Sequence, residues 1–65
     1  MKNKVRVARV EKNYTQQQLA EKIGVTRQTI SLIEQGKYNP TLKLCLAICY
    51  AVDKTLDEIF WMEEK

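Results

Sequence analysis

The 65-residue chain contains no histidine, one proline, two glycines and two cysteines. Each shortage removes a class of function. Without histidine, no Ser–His or Cys–His nucleophile can be assembled, and imidazole acid–base chemistry is excluded. Two thiols alone, Cys45 and Cys49, fall short of the four N or S ligands of a structural zinc site. Nor do two cysteines make a disulfide framework. Their i, i+4 spacing on a helix is poor geometry for a local bond, and both are expected as small, buried core residues. No apolar run reaches the roughly 18 residues of a membrane span. Lys2, Lys4, Arg6 and Arg9 interrupt any apolar stretch at the N-terminus, which argues against a secretory leader and for a cytoplasmic protein. A chain this short leaves little room for a substrate pocket. The expectation is a binding module, not an enzyme, with no cofactor, metal or small-molecule ligand.

What is present is ordinary for a globular domain: 45% hydrophobic and 29% charged residues, too apolar for a disordered chain. Residues 1–65 read as one domain. A domain of this size buries only about 60% of its unfolded surface, and a partner chain often supplies the remaining burial. The net charge of +3 is unevenly spread. Residues 1–43 hold nine Lys/Arg against three Asp/Glu, and residues 44–65 hold two against five. Uneven charge is compatible with a merely solvated surface. It also suits a basic face for a polyanion and a separate task for the C-terminal part.

Caps and stops divide the chain into five short helices. The first covers about Lys4–Lys12, with Val5 and Ala8 on one face; the alternation of Val5 and Val7 would equally suit a short strand. Asn13 tolerates the left-handed conformation and can end the helix. Thr15 opens the second helix, about 16–23, with Gln18 completing a capping box. Leu19, Ala20 and Ile23 form its apolar stripe, and Gly24 ends it. Thr26 caps a third helix, about 27–35. Ile30 and Ile33 mark its buried face, and Gly36 stops it. After the Asn39-Pro40 turn, Thr41 starts a fourth helix, with Leu42, Cys45, Ile48, Cys49 and Val52 on one side. Asp53-Lys54 breaks it. Thr55 and Glu58 form a second capping box before Leu56, Ile59 and Phe60.

The second and third helices are joined by about three residues around Gly24, the spacing of a helix-turn-helix. The first turn of the third helix reads Thr26-Arg27-Gln28-Thr29. Arginine matches guanine O6 and N7, and glutamine matches adenine N6 and N7. The helix N-terminus adds free N–H groups suited to phosphate. A capped, solvated first turn would explain the same residues without a ligand.

The run Thr15-Gln16-Gln17-Gln18-Leu19-Ala20-Glu21-Lys22-Ile23-Gly24-Val25-Thr26-Arg27-Gln28-Thr29-Ile30-Ser31-Leu32-Ile33-Glu34-Gln35-Gly36-Lys37 resembles the lambda-repressor-like, Cro/Xre family of helix-turn-helix transcriptional regulators. The likeness continues through Tyr38-Asn39-Pro40-Thr41-Leu42 and ends at Ile59-Phe60. It implies an all-α, five-helix, lambda-repressor-like DNA-binding fold. The partners implied are double-stranded DNA and a second copy of the chain, as a homodimer on a palindromic operator, with repression as the usual outcome. The same helices serve in antitoxins and transcription bridging factors, the alternative this resemblance leaves. An RNA-binding module is disfavoured by the lack of an aromatic platform.

Carried onto this sequence, the resemblance places Arg27 and Gln28 first, then Thr29, Ser31 and Leu32, at base edges in the major groove. Leu32 stands where relatives often have a polar residue, and either a thymine methyl or the neighbouring helix would accept it. Thr15, Gln16, Thr26, Gln35, Lys37, Tyr38 and Asn39 fall at backbone-contacting positions. Arg9 and Glu34 match a structural ion pair. Asn13 and Asp53 replace glycines, and Lys54 replaces an apolar residue. Residues 55–65 are expected to form the dimerisation segment. Leu46, Tyr50, Phe60, Trp61 and Met62 are its interface candidates, aromatics and methionine being enriched at such surfaces. A small β-ribbon pairing Lys2–Lys4 with Trp61–Glu63 is a further expectation.

Overall fold

In a computed structural model of the chain, residues 3–60 are described. They form five helices: α1 (Val5–Glu11), α2 (Gln16–Ile23), α3 (Arg27–Glu34), α4 (Leu42–Val52) and α5 (Leu56–Ile59). Among the described residues there is no strand. The β-ribbon is not borne out: Lys2 and Trp61–Glu63 lie outside the described residues, and Lys4 precedes α1. The Lys4 N–H instead donates to the Ile59 carbonyl at 2.8 Å. The choice left open for the first segment falls to the helix. Val5 is fully buried there, and Val7 is 58% exposed.

Local chemistry sets most helix limits. The Thr15 hydroxyl accepts from the Gln18 N–H at 3.0 Å, and the Gln18 side chain accepts from the Thr15 N–H at 2.8 Å. Thr26 and Thr41 cap α3 and α4 in the same way, accepting from Thr29 and Leu44, both at 3.2 Å. Each cap satisfies a donor that the first helical turn leaves orphaned. At Thr55 the arrangement differs in part. Glu58 accepts from the Thr55 N–H at 2.8 Å, while the Thr55 hydroxyl donates to Asp57.

The first four helices end by one device. Asn13, Gly24, Gly36 and Asp53 all have φ between 60° and 79°. Beyond each, a backbone N–H reaches back five residues: Tyr14 to Arg9, Val25 to Ala20, Lys37 to Leu32 and Lys54 to Cys49. These bonds satisfy carbonyls that would otherwise lack partners. Asparagine and aspartate thus fill left-handed positions at two of the four stops.

One core joins all five helices: Val5, Ala8, Leu19, Ala20, Ile30, Ile33, Ile48, Cys49, Val52 and Ile59. Cys45 and Cys49 are free, buried thiols. Burial pushes both above the ordinary thiol range, with Cys45, Asp57 and Glu58 adding smaller repulsions at Cys49. Leu42 departs from expectation. It shares the helical face of Cys45 and Cys49 yet is 63% exposed, because it is the first residue of α4, and packing on the core begins at Leu44 and Cys45. Leu56, at the start of α5, is 36% exposed.

Candidate nucleic-acid interface

Helix α3 divides cleanly. Ile30 and Ile33 are fully buried, holding one face against α2 and the core. Arg27, Gln28 and Gln35 are exposed, and Thr29, Ser31 and Leu32 are half-buried. Residues 27, 31 and 35 follow at i+4 intervals and therefore share a face. That face has its own short-range order. The Thr26 and Thr29 hydroxyls lie 2.9 Å apart, and the Gln35 amide donates to the Ser31 hydroxyl at 2.9 Å. The flanking candidates Thr15, Thr26, Lys37, Tyr38 and Asn39 are all exposed on the α1–α2, α2–α3 and α3–α4 connections.

Beneath this surface lies a polar network. Arg9 Nε donates to Glu34 Oε2 at 2.7 Å and Arg9 Nη2 to Glu34 Oε1 at 3.4 Å. The two side chains are only 12% and 5% exposed. Arg9 Nη1 donates to the Tyr14 carbonyl at 2.7 Å, so one guanidinium ties α1 both to the α1–α2 connection and to the end of α3.

Gln16 extends the network outward. Its Nε2 donates to Glu34 Oε1 at 3.0 Å, and its Oε1 accepts from Arg27 Nη1 at 3.5 Å. An ionised carboxylate only accepts and a guanidinium only donates, so this pair of neighbours fixes which way the Gln16 amide faces. The residue expected at the phosphate backbone is, in the free protein, the link between the Arg9–Glu34 pair and the foremost base-reading candidate. Neither bond leaves a trace in sequence spacing. Asn3 was also missed: its Oδ1 accepts from the Val5 N–H at 3.1 Å, and its Nδ2 donates to the Ile33 carbonyl at 2.7 Å. It holds the first N–H of α1 and ties that helix to α3.

Of the dimer candidates, Leu46 and Tyr50 sit elsewhere, on α4, and Phe60 directly follows α5. Tyr50 is 91% and Leu46 47% exposed, one helical turn apart. Phe60 is half-buried and packs partly on its own core. Trp61 and Met62 lie outside the described residues. Among the described residues no cluster of side chains is placed to hold a metal ion, and no helix is long and apolar enough to cross a membrane.

A two-helix unit is joined by a glycine turn and bears a polar face on its second helix, and the chain matches the helix-turn-helix family of the Cro/C1 type over residues 5–59. The chain belongs to that family. It is 48% identical over 65 residues to YgzD of Bacillus subtilis, named an uncharacterized HTH-type transcriptional regulator, covering all of this chain and 98% of that protein. An HTH-type regulator of Methanocaldococcus jannaschii, MJ0272, is 47% identical over 64 residues, covering 98% and 97%. Among solved structures, the clp gene regulator ClgR of Corynebacterium glutamicum superposes with a TM-score of 0.79 at 26% identity. That match covers 83% of this chain and 57% of ClgR, so the chain spans just over half of the longer protein. The protein is thus a DNA-binding helix-turn-helix transcriptional regulator, and its family is not one of enzymes.

Proposed function

We propose that the regulator represses transcription by binding a palindromic operator as a homodimer, with α3 of each copy in successive major-groove faces about 34 Å apart. The observation that carries this reading is the division of α3: Ile30 and Ile33 anchor it, and Arg27, Gln28, Ser31 and Gln35 are left for a ligand. Arg27 and Gln28 read bases, with Thr29, Ser31 and Leu32 beside them. Thr15, Gln16, Thr26, Gln35, Lys37, Tyr38 and Asn39 hold the backbone and set register. Leu46 and Tyr50, with Phe60, Trp61 and Met62, join the two copies. Bound there, the dimer blocks access to a promoter that overlaps its site.

The test starts with duplex selected from a random library by the purified protein. Arg27→Ala should cost about 1–3 kcal/mol on the selected site and relax preference at one base pair in each half-site. A reporter carrying the site within its promoter should fall in expression when the protein is supplied. Unselected, sequence-blind enrichment, or unchanged preference in the Arg27 variant, would defeat the reading.

A further inference from the structure

Helix α1 turns apolar side chains to solvent. Val5 and Ala8 are buried, and the Arg9 side chain is only 12% exposed. At 3.6 residues per turn, the opposite side of the helix holds Val7 and Val10, which are 58% and 56% exposed. A lone exposed apolar side chain needs no explanation. Two at i, i+3 form one strip. Valine is also a poorer helix former than the lysine or glutamate that would serve a solvated position. With Ala8 and Ile59, Val7 lines a cleft of about 470 Å³ between α1 and α5.

Charge decides what fits this face. Glu11, Asp57 and Glu58 stand along the cleft, so DNA is repelled from it. On α1 itself, Lys4, Val7 and Glu11 fall at i, i+3 and i+7 and share a face. The cation is at one end, the anion at the other and the valine between them. Lys4 is exposed and in no ion pair among the described residues. Glu11 meets Lys54 through Oε1 at 3.2 Å, which leaves Oε2 for another donor. This order is self-complementary. Two copies of α1 crossing antiparallel, with a two-fold axis near Val7, set Lys4 of each against Glu11 of the other and close the valine strips together.

The surface is separate from the one assigned to the homodimer. The groove beside Leu46 and Tyr50 lies between α4 and α5 and shares only Lys54 with the α1 cleft. The two contacts draw on different residues, so one chain can make both. We propose that the Lys4–Val7–Glu11 face of α1 is a second contact between copies of the chain, joining neighbouring dimers rather than the halves of one. The seven residues of α1 span about 10 Å, so the contact is small and weak in free solution. It gains strength where adjacent DNA sites hold two dimers close together.

Charge reversal in the intact chain tests this without DNA. In sedimentation velocity carried to high chain concentration, wild type should pass from dimer toward tetramer. Lys4→Glu and Glu11→Lys, each alone, should weaken that step by about tenfold, since two exposed pairs turn from attraction to repulsion. An equimolar mixture of the two variants should recover it, because opposite charges then meet at both ends of the contact. Changes within one chain, such as loss of the Glu11–Lys54 pair, cannot produce that recovery. Independently, Val7→Cys should form an interchain disulfide in oxidised glutathione faster than Glu21→Cys, an exposed control on α2. Equal self-association of wild type and both variants, or a mixture that behaves as its separate components, overturns the contact and leaves the strip to a different protein. If Leu46→Lys with Tyr50→Lys stays dimeric while the two α1 variants become monomeric, the α1 contact stands and the homodimer surface assigned to α4 falls.

Discussion

Replacing Glu34 by glutamine removes one charge and almost no volume, which isolates the Arg9–Glu34 pair. Three N–H groups converge on the carboxylate: Arg9 Nε on Oε2, and Arg9 Nη2 with Gln16 Nε2 on Oε1. A glutamine has one oxygen and one NH₂ to offer. Either orientation sets a donor against a donor, at the 2.7 Å Arg9 Nε position or at the site shared by the other two. The guanidinium, 12% exposed, then lacks a counter-charge and keeps its bond to the Tyr14 carbonyl and one to the amide oxygen. Breaking a shielded pair from one side costs about 3–5 kcal/mol, and the residual exposure of Arg9 favours the lower end. A chain of this length has on the order of 3–10 kcal/mol of total stability, so the loss is a large share of it. At about 4–8 °C per kcal/mol, a loss near 3 kcal/mol lowers the thermal midpoint by roughly 12–24 °C. Circular dichroism melts of wild type and Glu34→Gln measure it. The double variant Arg9→Met with Glu34→Leu should recover much of the loss, since no buried charge is then left unpaired. A fall below about 4 °C in Glu34→Gln would show that water screens the pair. Additive losses in the double variant would show that the pair does not act as a unit.

Two further expectations follow from burial. The thiols of Cys45 and Cys49, raised by desolvation, should resist alkylation near neutral pH in the folded protein and react on denaturation. A folded-state thiol above its unfolded value favours the native state only while protonated. Stability should therefore hold below the ordinary thiol range and decline as pH rises through and beyond it; rapid native-state labelling of both thiols would contradict this. On α4, Leu46→Lys with Tyr50→Lys should shift sedimentation equilibrium toward monomer and weaken operator binding, leaving the monomer's helicity intact because both side chains are exposed. Unchanged self-association would place the contact on another surface.

The fold was legible where its causes are local. A threonine followed three residues later by an N–H in need of an acceptor is a helix start wherever it stands. Thr15, Thr26 and Thr41 each make that bond. Asn13, Gly24, Gly36 and Asp53 belong to the few residue types that take positive φ cheaply, and each ends a helix. The stripes of α2 and α3 likewise named Leu19, Ala20, Ile30 and Ile33 as core, because 3.6-residue periodicity puts them on one face.

Periodicity gives a face but not what lies opposite it. Leu42 keeps the register of Cys45 and Cys49 and is nevertheless exposed, since it is the first residue of α4 and lies before the point where the helix meets the core. Alternating valines left α1 open between helix and strand until packing buried Val5 and released Val7 to solvent. The Arg9–Glu34 partnership spans 25 residues, and only the family resemblance suggested it. The orientation of the Gln16 amide was legible from neither source. By itself, then, the sequence determined where the helices begin and end, which faces are apolar, and that the second helix of the turn carries base-reading residue types. Only the tertiary structure decided which apolar positions are covered, which way the Gln16 amide turns, and how far the Arg9–Glu34 pair is shielded from water. Caps and stripes arise from atoms a few residues apart, while burial and charge compensation arise from atoms that only folding brings together.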